Sequence, residues 1–314
     1  MHKIIFFGTS LISAKILQYL LTDKEVEVLA VVCQPDQKKI PETKKVALQN
    51  NLKFYQPEKL KTIFEELKGL QSDLILTCSY GKIIPRIYLN MPKYKCINIH
   101  TSLLPKLRGP NPIRYAILQN EKKTGVTLMY MEEGLDTGNI IFQQEVEITS
   151  KETYSTLYEK LSEASIQILK QHLHSLFSDN VISYKQIEEN ATFCEKLTRE
   201  KEKIDWEKTI VEIDCLVRSL KEEPIAFVKY EDLEIKIHNI EIFNSSSDSW
   251  NELWNNNKEK ENGTILKINK EGIFVKAKDG IVIIDKLQLP SKKPVLVKDM
   301  INGRHIFLVD KKFI

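Results

Sequence analysis

The sequence predicts an α/β protein, a mostly parallel sheet domain followed by a small C-terminal β-barrel. Three observations point there. Short β-rich apolar runs alternate with amphipathic helical patterns through the first half, the signature of parallel strands joined by crossover helices. Further strand-like runs, punctuated by Gly, Asn and Asp, crowd the last part of the chain at barrel-like density. A polar, charged stretch separates the two, and 314 residues suffice for one large core and one smaller core.

The strand candidates of the first part are KIIFF (3–7), VEVLAVV (26–32), DLILTC (73–78) and CINIH (96–100). Between them, residues 11–21 and 58–67 repeat apolar side chains at three- and four-residue spacing, which is the helical period. Beyond residue 124, TGVTLMYM (124–131) and NIIFQQEVEI (139–148) read as two more strands around the turn-rich EEGLDTG. A long helix over 153–177 follows, with Leu157, Leu161, Ile168 and Leu169 on its apolar face. This places a Rossmann-like domain at 1–184. Residues 179–205 are polar and charged, and a linker is set at 185–205. The remainder, 206–314, opens with a helix pattern at 207–220. The runs IAFVKY (225–230), LEIKIHNIEIF (233–243), GTILKINK (263–270), GIFVKA (272–277) and GIVIIDKLQL (280–289) then suggest an OB-like barrel. SSSDSW and NNNKEKEN between them read as one long surface loop.

Composition excludes several classes. With 42% hydrophobic and 28% charged residues and only 11 Gly and 11 Pro, the chain is neither disordered nor fibrous. The longest apolar run, Val28 to Cys33, is far short of the roughly 20 residues that span a bilayer. Residues 4–7 are too short for a secretory leader core, so a cytoplasmic protein is expected. The five cysteines are scattered without a Cys-x-x-Cys pair and read as reduced core thiols. Gly8-Thr9-Ser10 lacks the further glycines of a dinucleotide fingerprint, no phosphate-loop pattern occurs, and nothing has metal-ligand spacing. His172 and His174, two apart on a helix, point away from each other. The net charge of +3 is unevenly spread: +4 over 1–184, −7 over 185–257 and +6 over 258–312. The basic C-terminal part is equally readable as a nucleic-acid footprint or as a solvated lysine surface.

The chemistry-bearing stretch is INIHTSLLPKLRGPNPI, residues 97–113, at the C-terminal end of a central strand candidate, where open α/β sheets bind ligands. Residues two apart on a strand share a side, so Asn98 and His100 project together. An amide donor beside a proton-exchanging imidazole suits an oxygen that gains charge when a carbonyl is attacked. Taken singly, the histidine reads as a core residue and the glycine-flanked Asp136 of GLDTG as a tight turn. Together, an amide, an imidazole and a carboxylate on neighbouring loops make the polar set of an acyl-transfer site.

The run N-I-H-T-S-L-L-P-K-L-R-G with its downstream L-D-T-G resembles the folate-dependent formyltransferases. Over nearly its whole length the chain is similar to the methionyl-tRNA formyltransferase family. F-G-T-S after the first strand, V-C-Q-P-D after the second, S-Y-G-K-I-I-P at 79–85 and E-K-L-T-R-E-K-E-K-I-D-W at 195–206 carry that likeness. The resemblance implies transfer of the formyl group of 10-formyltetrahydrofolate to the amino group of methionyl initiator tRNA, without a metal, by a cytoplasmic monomer. It assigns Asn98, His100 and Asp136 to catalysis. It assigns Ser102, Leu103, Leu104 and Pro105 to folate binding, with Tyr80, Gly81, Ile83 and Ile84 forming the pterin pocket. Lys38, Lys39, Lys44 and Lys45 are expected at the tRNA, as is Arg108, which could instead hold a loop. Residues 206–314 would be the tRNA-binding domain. The family's loop after the second strand is long, basic and rich in Gly and Arg, whereas QPDQKKIPETKKVA (34–47) is shorter and keeps only lysines. Two rivals remain at this level: a relative that formylates a small amine such as an amino-sugar nucleotide or glycinamide ribonucleotide, and a noncatalytic RNA-binding relative.

Overall fold

The apolar runs of the first part assemble side by side. In the computed structural model, which describes residues 1–37, 39–243, 248–303 and 305–314, they form a seven-stranded sheet. Its strands are β1 (His2–Gly8), β2 (Val26–Val32), β3 (Phe54–Tyr55), β4 (Leu74–Cys78), β5 (Cys96–His100), β6 (Lys123–Tyr130) and β7 (Ile140–Glu147), in the order β3-β2-β1-β4-β5-β6-β7. The strands from β3 to β5 run parallel; β6 and β7 extend the sheet antiparallel. Consecutive residues Ile4, Ile5, Phe6 and Phe7 are all fully buried, so the centre of the sheet is covered on both faces, as a continuous apolar run requires. The outer strand β7 instead alternates half-buried and exposed positions along its second half.

From β1 the chain winds outward through β2 to β3, then returns past β1 to lay down β4 and β5. Reversing the direction of winding opens a crevice at the carboxyl ends of the central strands. Polar side chains lace those ends together: Ser13 Oγ donates to the Cys78 carbonyl at 2.6 Å, and Thr9 Oγ1 and Gln34 Nε2 both donate to the Tyr80 carbonyl. The helices of this part are α1 (Leu11–Leu20), α2 (Glu42–Gln49), α3 (Phe64–Gly69), α4 (Arg86–Leu89), α5 (Pro112–Leu118) and α6 (Tyr154–His172). The pattern at 58–67 does not make one helix: Leu60–Ile63 is a 3₁₀ turn that feeds α3. Part of the segment read as a basic loop is α2, whose buried stripe is only Thr43, Val46 and Ala47.

The chain divides into two units. The first holds Met1–Ile113, Lys122–Ile148 and Leu157–Glu195; the second holds Arg114–Glu121, Thr149–Thr156 and Lys196–Ile314. The second begins, after its two short segments, with α7 (Ile210–Ser219), started by a reciprocal capping box between Thr209 and Glu212. Strands β8 (Phe227–Tyr230), β9 (Leu233–Ile242), β10 (Ile265–Asn269), β11 (Gly272–Lys276) and β12 (Ile281–Gln288) make an antiparallel sheet in the order β10-β11-β12-β9-β8, with β13 (Val295–Leu296) paired to β12. The five strand-like runs of the sequence supply β8 to β12. The sheet curls until residues 310–314 bridge its two ends: Ile265 and Asp310–Lys311 exchange backbone hydrogen bonds at β10, and Ile314 exchanges two with Lys229 of β8. Inside lies a core containing Trp206, Tyr230, Phe307 and Phe313.

One stretch differs from expectation. Residues 248–257, read as surface loop, form α8 (Asp248–Asn257). Its Trp250, Leu253 and Trp254 pack on Phe274, Ile281 and Ile283, a small second core on the outer face of the curled sheet. Ser245 to Ser247, within the same expected loop, lie with Asn244 outside the described residues. A last helix, α9 (Val297–Met300), follows β13.

Candidate active site

Strand β5 ends where the sheet changes from parallel to antiparallel, with β4 on one side and β6 on the other. Asn98 stands opposite Thr77 of β4, whose hydroxyl donates to Asn98 Oδ1 at 2.6 Å. That bond orients the carboxamide: its oxygen is occupied, and Nδ2 donates to no other described residue. Two residues on and on the same side, His100 is 6% exposed, and its Nε2 lies 3.0 Å from the Leu107 carbonyl oxygen. A carbonyl can only accept, so Nε2 carries the proton and Nδ1 is the ring nitrogen able to accept one. Nδ1 lies 3.7 Å from Asp136 Oδ2, in charge contact with the carboxylate.

The carboxylate is held from two directions. Gly109 N–H donates to Asp136 Oδ2 at 2.8 Å, and Gln186 Nε2 donates to the backbone carbonyls of Asp136 and Gly138, each at 2.8 Å. Asp136 itself has left-handed backbone, φ 53°, uncommon for a residue with a Cβ. Gly109, φ 116°, admits no other residue, because an added Cβ would stand 2.4 Å from the Cys194 carbonyl oxygen. Thus His100 and Asp136 come together at the end of β5, with Asn98 two residues earlier on the same side of the strand.

The loop from Ser102 to Arg108 is tied down along its length. Thr127 Oγ1 donates to the Ser102 carbonyl and accepts from Leu104 N–H, Gln143 Nε2 donates to the Leu104 carbonyl, and Ser102 Oγ donates to the Lys106 carbonyl. Ser102 and Leu104 are buried, whereas Leu103 and Pro105 are partly exposed. Of the expected pterin-pocket residues, Gly81 and Ile83 are at the surface, Ile83 at 91% exposure. Tyr80 and Ile84 lie in the core beneath, the Tyr80 ring edge-on to Phe7.

Arg108, read from sequence either as a holder of a loop or as a phosphate contact, is turned inward. It is 1% exposed, and its guanidinium donates to Gln186 Oε1 through Nε and Nη2 and to both Glu188 carboxylate oxygens through Nη1 and Nη2. The bond from Arg108 holds the Glu188 carboxyl below the usual carboxylate range. Lys44 pairs with Asp36 at 2.6 Å and Lys45 with Glu42 at 2.8 Å, while Lys39 is exposed and Lys38 lies outside the described residues. Sequence reasoning missed Thr77, Gln186 and Thr192; the hydroxyl oxygen of the last accepts from Leu107 N–H at 2.9 Å. None of the three sits in a recognisable pattern.

Two family models match this chain: formyl transferase over residues 2–173 and the formyl transferase C-terminal domain over 196–305. Methionyl-tRNA formyltransferase of Mycoplasma capricolum is 38% identical over 304 residues, covering 95% of this chain and 93% of that protein. The chain belongs to the methionyl-tRNA formyltransferase family. A second relative of that name, from Clostridium perfringens, is 37% identical over 97% of both chains. Among solved structures, the N-formyltransferase from Helicobacter canadensis, in complex with folinic acid and dTDP-3-aminofucose, superposes with a TM-score of 0.66 over 90% of this chain and 99% of its own, at 22% identity. At that identity the likeness is one of fold.

Proposed function

We propose that this protein transfers the formyl group of 10-formyltetrahydrofolate to the α-amino group of the methionine esterified to initiator tRNA, the formylation that precedes translation initiation. The observation that carries this reading is the near-full-length likeness to methionyl-tRNA formyltransferases, which spans both units.

The reduced folate supplies an activated formyl group bonded to nitrogen. Asn98, its oxygen held by Thr77, directs Nδ2–H at the formyl oxygen, which gains negative charge as the amine attacks. His100 spends Nε2–H on Leu107 and so exchanges protons through Nδ1 alone. That atom takes the proton the amine sheds and returns it to the departing folate nitrogen. One carbon–nitrogen bond forms, one breaks, and one proton changes nitrogen. Asp136 at 3.7 Å favours the imidazolium that exists between those two transfers. Surface residues Gly81, Ile83, Leu103 and Pro105 face the folate, with buried Tyr80, Ile84, Ser102 and Leu104 backing them. The apolar Ile83 standing in solvent and the uncommitted Asn98 amide fit a flat, partly polar heterocycle with a carbonyl to bind. The second unit, with its basic stretch from residue 258 onward, and lysines 38, 39, 44 and 45 hold the tRNA by its phosphates.

Purified protein with 10-formyltetrahydrofolate is expected to formylate methionyl initiator tRNA far better than methionyl elongator tRNA. His100→Ala and Asp136→Ala should keep a native circular dichroism spectrum and lose most turnover. Equal turnover of free methionine or of an amino-sugar nucleotide would refute the acceptor, and full activity in both variants would refute the mechanism.

A further inference from the structure

Residues 186–194 run as a strap along the loop that follows β5. Arg108 N–H donates to the Thr192 carbonyl, Cys194 N–H donates to the Arg108 carbonyl, and Arg108 and Phe193 form a parallel bridge. Leu107 N–H adds a bond to Thr192 Oγ1. The strap begins with Gln186, which is 4% exposed and uses every polar position of its amide: two carbonyls accept from Nε2, and two Arg108 N–H groups donate to Oε1. Such an amide has one orientation. Turned over, it would set its oxygen against two carbonyl oxygens and its NH₂ against a guanidinium, leaving four buried polar groups unpaired.

We infer that Gln186 is a positioning residue for the formyl transfer: aimed by buried Arg108, it pins the backbone of Asp136 and so sets the distance between that carboxylate and His100. The inference rests on the proposed function for the reaction and on geometry for the rest. Asp136 has two handles. Its side chain is held by Gly109 N–H, the neighbour of Arg108, and its carbonyl by Gln186, which Arg108 orients. Both handles therefore adjoin Arg108, one through its backbone neighbour Gly109 and one through its buried guanidinium. A left-handed aspartate without its carbonyl tether relaxes toward more populated backbone. Its carboxylate then leaves Nδ1, and the imidazolium loses its counter-charge. Arg108 thereby has a task other than contact with phosphate.

Two variants separate this task from folding. Gln186→Glu keeps two acceptor oxygens for Arg108 but offers Asp136 and Gly138 no donor; Gln186→Met keeps length and removes both. With charged initiator tRNA, both should lose about 10- to 100-fold in kcat, the cost of a displacement near 1 Å. KM for either substrate should stay within about threefold, since binding groups are untouched. The His100 Nδ1 resonance, followed by nuclear magnetic resonance without any substrate, should move in Gln186→Met in the same direction as in Asp136→Asn. The double variant Gln186→Met/Asp136→Asn should be no slower than Asp136→Asn alone, because Gln186 acts through that carboxylate. Unchanged kcat in a folded variant, an unmoved His100 Nδ1 resonance, or losses that multiply in the double variant would each overturn the inference. Should Gln186→Met fail to fold, Gln186→Glu decides by kcat. Should the wild type fail to formylate the tRNA, the functional reading falls, while the His100 Nδ1 resonance still judges the positioning.

Discussion

A single proton decides how the polar residues at the end of β5 can work. Because the Leu107 carbonyl claims Nε2–H of His100, the nitrogen left to accept a proton is the one that faces Asp136, and the orientation of the ring is a consequence of loop structure. The Asn98 amide is likewise aimed by a neighbour, the Thr77 hydroxyl on the adjacent strand. Asn98, His100 and Asp136 were legible in the sequence because strand alternation and a glycine-bounded acid are local signals. Their orienting partners were not: Gln186 and Glu188 stand 78 and 80 positions from Arg108, and nothing local marks a loop arginine as buried. The cysteines are a second residue-scale case, and all five are buried thiols as the sequence suggested. Burial pushes the Cys33 and Cys194 thiols up to about 11 and Cys78 to about 12, from an ordinary 9.0. The folded chain thus keeps these protons where the unfolded chain releases them, so stability should fall as pH climbs from 9.0 toward 11. Denaturant melts across that range measure it, and Ellman's reagent should find no reactive thiol in the native protein at neutral pH.

At the scale of elements, the strands were readable and several helices were not. Buried parallel strands are continuous apolar runs, and strand β1 has no polar residue between Ile4 and Phe7 to confuse the pattern. Helix α8 carries Asp, Ser and four Asn among ten residues, poor helix formers that pointed to a loop. Its helical spacing resides in Trp250, Leu253 and Trp254 alone, and the surface they cover belongs to β11 and β12. Closure of the second sheet was equally hidden, because residues 310–314 have no strand-like run and gain their structure by pairing with β8 and β10. Phe313 is fully buried within 6.2 Å, ring to ring, of Trp206, Tyr230 and Phe307. Phe313→Ala should therefore destabilise the second unit by about 3–5 kcal/mol, visible as a lowered thermal midpoint. An unchanged midpoint would show that the closing segment adds little to that core.

For the molecule as a whole, charge bears on tRNA more than on fold. Lys44 and Lys45 already have carboxylate partners, and such exposed pairs are weak enough to exchange for phosphates. Changing Lys38 and Lys39 together to Ala should weaken tRNA use and flatten the dependence of log kcat/KM on log salt by about two, with KM for the folate unchanged. An identical slope would remove those lysines from the interface. By itself the sequence determined the α/β class, the places of the long strands along the chain and the family, and it singled out three polar residues on and near β5. Each of these is written in periodicity or in contiguous motif, which short-range sterics and burial translate directly into structure. Tertiary structure alone decided that Arg108 is an internal strut, that residues 186–194 strap the β5 loop, and that residues 310–314 close the curled sheet. Those outcomes depend on hydrogen bonds between groups far apart in the chain, whose worth exists only once the backbone has brought them together and removed the water between them.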